Sequence, residues 1–475
     1  MNKECYMILA GKNTTVDGRI ISGHNNDLQG QHAAQYEILP HAEHNENEEV
    51  VLPSGLRIPQ PLETQKCLIL KTWRGYTEGD AVAINENQVA IAGGVDLGCD
   101  RNEWAKKNDP LVPMGVSGAV RYIALQQSKT ARECVEKIGK YYSTYGISYP
   151  CGVGVADKNE AWYIEAGGGH CWMAVRVPDD CYFVQGNGYR LKGIDVSDRE
   201  NVILSPDLLD FVKKGKPSAY VNGKLNFAEI FGGAMFARAD MKFFNNRRLW
   251  GCIRKLSPSL HFGADETNFP VFIKPDHDIT SKILMDVLRD NYQGTEYYVF
   301  SEDGSILKER SICVPSCVHS AVIELRDGIP NEIGGVLWGA LASPGTSPFI
   351  PYYLGSTGIY EPYTIGGPEY DEKSAFWRYR SLSNLAMFRY RDIAPIIKSK
   401  WEKLEQEIFM TMPVIENNAK QIYDNDDKLA NNMLTLYSNA FATEAYVQAK
   451  KVESETQTYI AKHLHLAFSR EGLEW

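Results

Sequence analysis

Residues 1–27 read MNKECYMILAGKNTTVDGRIISGHNND, and the fold hangs on how this stretch pairs with itself. Cys5 stands at the mouth of a short apolar run, Tyr6 to Ala10. Gly11 to Gly18 carries turn chemistry, with Asn13, Thr14 and the Asp17-Gly18 pair suited to turn or left-handed conformations. A second apolar run, Arg19 to Ser22, leads into the polar knot His24-Asn25-Asn26-Asp27. The pattern predicts an antiparallel hairpin. With the turn centred near Thr14-Thr15, Cys5 lies opposite Gly23-His24, and the ionisable groups that the hairpin itself brings to the thiol are His24 and Asp27.

Outward from this hairpin, composition narrows the classes. The chain has 475 residues, 44% of them hydrophobic and 23% charged, enough for a large buried core. A net charge of -10, with no basic tract beyond Lys213-Lys214 and nearby Lys216, argues against nucleic-acid binding. No apolar run approaches the ~20 residues needed to span a bilayer, so no membrane partner is expected. Asn2-Lys3-Glu4 runs straight into a strand-like segment rather than a signal-peptide core. Ten cysteines without a secretory leader read as reduced thiols, and the expected location is the cytoplasm.

Leu28 to Pro61 is polar and irregular and reads as a long loop of the kind that serves as a lid; its histidines His32, His41 and His44 match no metal-ligand spacing. Ala81–Ile84 and Val89–Ala92 flank Asn85-Glu86-Asn87 as a hairpin. Gly93-Gly94-Val95-Asp96 then leaves the sheet through two glycines, either to present N–H groups to a ligand or as an ordinary strand exit. Helices are predicted over Ser117–Gln127 and from Thr130, where Glu133 completes a capping box and Gly146 ends the helix. Four strands follow in close succession as an antiparallel meander: Gly152–Ala156, Ala161–Glu165, Cys171–Val177 and Cys181–Gly186. Beyond Asn187, Ile279–Tyr292 reads as helix, and Thr295–Phe300 and Ser311–Leu325 as strand. Asp371 to His465 is helical in pattern. Helices layered against antiparallel sheets give an α+β class.

Several apparent motifs fail their context. Gly167-Gly168-Gly169-His170 lies between strands and opens no helix. Cys313-x3-Cys317 with His319 is half a zinc site without its second half and reads as packed thiols. No cofactor and no metal are expected. Attention returns to Cys5. Were the Glu4–Cys5 bond cleaved, Cys5 would carry a thiol, ordinarily titrating near ~8.5, and an α-amine near ~7.7–8.0. Nucleophile and base would then sit within one residue at neutral pH.

The run Cys5-(x)12-Gly18-Arg19-Ile20-Ile21-Ser22-Gly23-His24-Asn25-Asn26-Asp27 resembles the start of the N-terminal-nucleophile (Ntn) cysteine dipeptidases, relatives of the secernins and, further off, of the penicillin V and bile-salt amidases. Asn85-Glu86-x-x-Val89-Ala90-Ile91, Thr130-Ala131-Arg132-Glu133 and Trp162-Tyr163-Ile164-Glu165 fit the same family. So do Gly169-His170-x-Trp172-x-Ala174-x-Arg176-Val177-Pro178-Asp179-Asp180, Asn246-Arg247-Arg248-x-Trp250 and Tyr370-Asp371-x-x-Ser374-Ala375-x-Trp377. The resemblance implies a four-layer αββα Ntn-hydrolase sandwich over residues 5–365, a removable leader over 1–4 and a helical C-terminal extension over 366–475. It implies cleavage of a dipeptide or small amide, with Cys5 as nucleophile and its freed amine as base. Asp27 matches the acid that orients the amine, and Asn187 the amide that stabilises the oxyanion; on the residues alone Asn187 reads as a turn residue beside Gly188. A second oxyanion donor is matched to a backbone N–H near Gly94-Val95, and Arg248 or its neighbour Arg247 to a distal arginine. His24 stands where the relatives usually have arginine, or lysine in secernins, so a permanent cation beside the thiol is replaced by a group that titrates near ~6.5, which is expected either to leave the thiolate less stabilised or to make activity more pH-dependent. Tyr6 stands where threonine is common. The alternatives kept open are an N-acyl amino acid or amide hydrolase and a non-catalytic secernin-like protein; assembly into homo-oligomers is left open as well.

Overall fold

The computed structural model describes residues 4–75, 81–233, 242–301, 306–307 and 309–463. Two antiparallel sheets stack face to face. In one, seven strands run in the order 272–273, 182–185, 4–10, 20–27, 317–325, 336–341 and 350–353. In the other, eight run in the order 202–204, 172–176, 161–166, 151–156, 90–96, 81–85, 67–72 and 34–39. The hairpin formed by Glu4–Ala10 and Ile20–Asp27 lies in the middle of the first sheet, its strands buried over Cys5–Ala10 and Ile20–Asp27.

Apolar alternation closes the two inner faces on each other. A Cβ on Gly154 would stand 2.5 Å from Met7 Sδ and 3.1 Å from Leu9, so glycine there lets the sheets approach. On the outer face of the eight-stranded sheet, Val153, Val155, Trp162 and Ile164 meet helices Val120–Leu125 and Ala131–Tyr145 in a second core. The longer helix begins as its sequence predicts, with the Thr130 side chain accepting from Glu133 N at 3.2 Å, and ends at Gly146 with φ +75°. On the outer face of the seven-stranded sheet, Gly23 packs against Leu284 and Leu288 of helix Ser281–Leu288, while Tyr6 reaches helix Lys242–Leu256 by donating to Arg248 O at 3.2 Å. Helix, sheet, sheet, helix: this is the αββα layering expected.

Three further helices, Ala375–Ala386, Tyr390–Tyr423 and Asp427–Lys462, pack against the far strands of the seven-stranded sheet. Trp401 donates to Thr346 O at 2.8 Å, and two buried ion pairs fasten the middle helix: Glu405 with Arg289 (2.6 and 2.9 Å) and Glu416 with Arg326 (2.7 and 2.8 Å). Removing one partner leaves the other charge buried and unpaired. Glu405→Leu is therefore expected to destabilise the protein by about 3 kcal/mol, read from urea unfolding. Arg289→Met/Glu405→Leu together should recover much of that loss.

The structure corrects the sequence reading in four places. Part of the supposed loop 28–61 is the edge strand Ala34–Leu39, paired with Cys67–Thr72; its apolar residues Ala34, Tyr36 and Ile38 alternate with Gln35 and Glu37, a two-residue period hidden in a polar context. The rest folds into short ribbons, 42–43 with 63–64 and 49–51 with 57–59. The last of the four consecutive strands, Tyr182–Gln185, leaves its neighbours and joins the other sheet beside Glu4–Ala10. Residues 295–300 form turns after Tyr292 and Gly294, both with positive φ, and the strand expected from Ser311 begins only at Cys317.

Candidate active site

Within the hairpin, Cys5 pairs with Asn26, Met7 with His24 and Ala10 with Ile21. The expected partner of Cys5 was Gly23-His24. A helical turn at Lys12–Thr14 followed by left-handed Gly18 (φ +74°) moves the centre of the turn to between Thr15 and Val16 and slides the register along. A slide by two residues leaves every side chain on its original face. Cys5, His24 and Asn26 therefore share the face that looks toward the other sheet.

Three side chains converge on Cys5. Its N–H donates to Asn187 Oδ1 at 3.3 Å, its carbonyl accepts from Arg248 Nη1 at 2.9 Å, and its Sγ lies 3.6 Å from Asn26 Oδ1. Arg248 Nη2 also donates to Asn187 Oδ1 at 2.9 Å, and Asn187 Nδ2 donates to Asp96 O at 3.0 Å. Arg248 is wholly buried. Arg247, by contrast, is held by Glu309 (2.6 Å) and Asp265 (2.7 Å) and stacks on Tyr297, so of the two arginines it is Arg248 that reaches Cys5.

Asn187 arrives because Tyr182–Gln185 changes sheet: Gln185 pairs with Met7, and the chain beyond it runs on toward Cys5. Its exit is pinned from beneath. Buried Glu165 accepts from Arg190 N at 2.5 Å and Leu191 N at 3.2 Å, Tyr189 N donates to Asp100 Oδ2 at 3.2 Å, and a Cβ on Gly186 would meet Asn245 Oδ1 at 2.4 Å.

Asp27 lies across the hairpin from Glu4, next to the Glu4–Cys5 bond. Its Oδ2 accepts from Arg310 Nη2 at 2.7 Å, and the Cys317 thiol lies beside the carboxyl. Burial raises the pKa of this carboxyl, with Arg310 opposing. His24 reaches across to the other sheet: its Nε2 donates to Gly94 O at 3.1 Å. Gly93, at φ +134°, leaves room for the ring, since a Cβ there would lie 2.3 Å from His24 Cδ2, and a Cβ on Gly94 would lie 1.8 Å from Arg121 Nη1. Val95 follows, buried, in register with Gly152.

The His24 pKa is lowered to about 4, chiefly by burial, with the Gly94 bond opposing the shift and Arg121 adding to it. The ring is thus neutral throughout the physiological range, and the pH dependence of activity expected from His24 has no titration near neutrality to drive it. Its consequence falls on stability. A histidine kept neutral by the fold binds its proton first in the unfolded chain, so its contribution is full above pH 6.5 and is lost as pH falls toward 4. Two and a half units correspond to about 3 kcal/mol. In His24→Gln, which keeps a donor for Gly94 O, the stability lost across that window should shrink by this amount in urea titrations at stepped pH.

Four residues in this region escaped the sequence reading. Asn26 was in plain view, but the shifted register hid its place opposite the thiol. His319 Nε2 accepts from Asn26 Nδ2 at 3.0 Å; spacing groups His319 instead with Cys313 and Cys317, whose thiols pack against Ser343 Oγ and the His319 carbonyl. Arg310 and Arg121 come from distant segments that no local pattern links to the hairpin. A cavity of about 800 Å³ opens at the opposite end of the hairpin, between Thr15–Arg19 and helix Tyr390–Tyr423, and none of the Cys5 contacts line it.

Comparison with known proteins fits this geometry to a family. The sequence model of peptidase family C69 matches residues 4–403. A probable dipeptidase of Latilactobacillus sakei is 27% identical over 88% of this chain and 89% of its own length. Probable dipeptidase B of Streptococcus pyogenes serotype M1 is 24% identical over 95% and 92%, and a probable dipeptidase of Salmonella dublin is 28% identical over 77% and 84%. Among solved structures, the Caenorhabditis elegans N-acylethanolamine-hydrolyzing acid amidase ortholog aligns with 67% of this chain and 92% of its own at 11% identity, with a TM-score of 0.29, too loose a likeness to add to the fold described above. With its match running from the strand that carries Cys5 into the C-terminal helices, the chain belongs to peptidase family C69.

Proposed function

We propose that this protein is a cysteine-type dipeptidase of the N-terminal-nucleophile kind, activated by removal of residues 1–4. The observation that carries the reading is the convergence of Asn187, Arg248 and Asn26 on the N–H, carbonyl and thiol of one residue, Cys5. Residue 4 still pairs with Asp27 as an extension of the Cys5 strand, while Met1–Lys3 lie outside the described residues.

In activation, the thiol adds to the Glu4 carbonyl carbon. The C–N bond breaks as the Cys5 nitrogen takes a proton, and water then hydrolyses the resulting thioester. A Glu4 carboxylate leaves, and a free α-amine remains on Cys5. Asp27 Oδ1, an acceptor beside this bond, suits the new amine. In turnover the amine removes the thiol proton, sulfur attacks the substrate carbonyl, and the amine returns the proton to the departing amino group. Asn187 and an N–H at Gly94-Val95 hold the oxyanion, and Arg248 fixes the Asn187 amide. Water finally cleaves the acyl-enzyme thioester. Residues 5–365 form the catalytic unit in this reading, with 366–475 as an appendage. Nine of the ten cysteines are free, which supports a reducing compartment, and we place the protein in the cytoplasm. Among the described residues no helix is long and apolar enough to cross a membrane.

Purified protein should release free amino acids from a panel of unblocked dipeptides and leave N-acyl amino acids largely intact. Faster cleavage of the acyl amides would replace this reading with an amidase of the penicillin V or bile-salt type. Activity on neither set would point to a secernin-like protein.

A further inference from the structure

We propose that Asn26, clamped by His319, positions the Cys5 sulfur and sets its reactivity. The inference rests on Cys5 as nucleophile. Three residues on adjacent strands form a row: Cys5 pairs with Asn26, and Asn26 pairs with His319. One end of the Asn26 amide lies 3.6 Å from Cys5 Sγ and the other 3.0 Å from His319 Nε2. Asn26 is 2% exposed and His319 is fully buried, so protein fixes the amide plane at both ends. A bulge immediately after Asn26, between the pairs it and Asp27 make with the neighbouring strand, lets Asp27 diverge from this row toward Arg310.

A primary amide presents an acceptor at one end and donors at the other. With a protonated thiol, Sγ–H donates to Oδ1 while Nδ2 donates to an unprotonated His319 Nε2. A thiolate needs a donor. Turning the amide supplies Nδ2–H to sulfur, provided that His319 Nε2 carries hydrogen and donates to Oδ1. The state of His319 thus selects which end of Asn26 the sulfur meets. The other charged or titratable groups facing this row are His24, whose ring centroid is 6.0 Å from that of His319, Asp27, Arg248, Arg310 and Cys317, with Arg121 beyond His24. None of those groups, in the contacts described above, takes the place of the amide at Sγ.

The test is iodoacetamide alkylation of the purified, activated protein across the thiol titration, read by mass spectrometry on the Cys5 peptide, alongside kcat and KM for a dipeptide. In Asn26→Leu and His319→Leu the midpoint of Cys5 alkylation should rise by about one unit and kcat fall roughly tenfold, the size of one charge-assisted hydrogen bond, with KM little changed. His319→Gln, which keeps a polar group to hold the amide, should stay within about threefold of the parent. Should Asn26→Leu fail to fold, the contrast between His319→Leu and His319→Gln decides. An unchanged alkylation midpoint and kcat in Asn26→Leu or His319→Leu overturns the clamp. Failure of the dipeptidase reading looks different: Cys5→Ala would keep its activity, while the alkylation profiles still report on the clamp.

Discussion

Cys5→Ala is expected to lower kcat/KM for dipeptides by roughly 10⁴-fold or more, because it removes the bond-forming atom rather than a group that assists it. The same variant should retain residues 1–4, since the thiol that cleaves the substrate is also the one proposed to cleave the leader. The pairing of the two losses is the informative part. Cys5 lies in a buried strand pair, 7% exposed, and alanine in its place removes only one sulfur atom from that face, so the fold should survive. Cys5→Ser separates the steps: it keeps a hydroxyl able to cleave the leader slowly, while dipeptide turnover stays far below that of the parent.

Arg248→Met is the second large effect expected, a loss of about 10²–10³ in kcat/KM. The arginine binds both the Cys5 carbonyl and Asn187 Oδ1. Its second bond decides which end of the Asn187 amide is free to face developing negative charge. Without it, Asn187 keeps Cys5 N and Asp96 O as partners but loses the charged donor that fixes its plane. Arg248→Lys restores charge without the two-pronged geometry and should recover only part of the rate. A drop confined to KM would assign Arg248 to substrate binding instead.

How much of this was legible in the chain differs from residue to residue. The hairpin, the 81–96 strand pair, the capped helix at Thr130 and the C-terminal helices were readable because local periodicity and turn chemistry specify them. The change of sheet at Tyr182–Gln185 was not, because its apolar alternation fits either sheet; the choice is made by burial against strands far away in sequence. That one crossing delivers Asn187 to Cys5. The register slide had a similar origin: Thr14-Thr15 looked like the apex, but the helical turn at Lys12–Thr14 absorbs extra residues on one side. His24 kept its face through the slide, and its ring reaches Gly94 O in the opposite sheet because Gly93 there has no Cβ to block it. His319 illustrates the limit of spacing arguments. Its spacing from two cysteines reads as half a zinc site and then as packed thiols, and neither reading shows that strand pairing sets it against Asn26.

The most direct test of the account is the intact mass of purified, fully active enzyme. Activation at the Glu4–Cys5 bond predicts a chain beginning at Cys5, with activity rising in step with that species as the precursor is consumed. Full dipeptidase activity in protein that still carries residues 1–4 would contradict it, because the nitrogen of Cys5 would then be an amide with no capacity to act as the base.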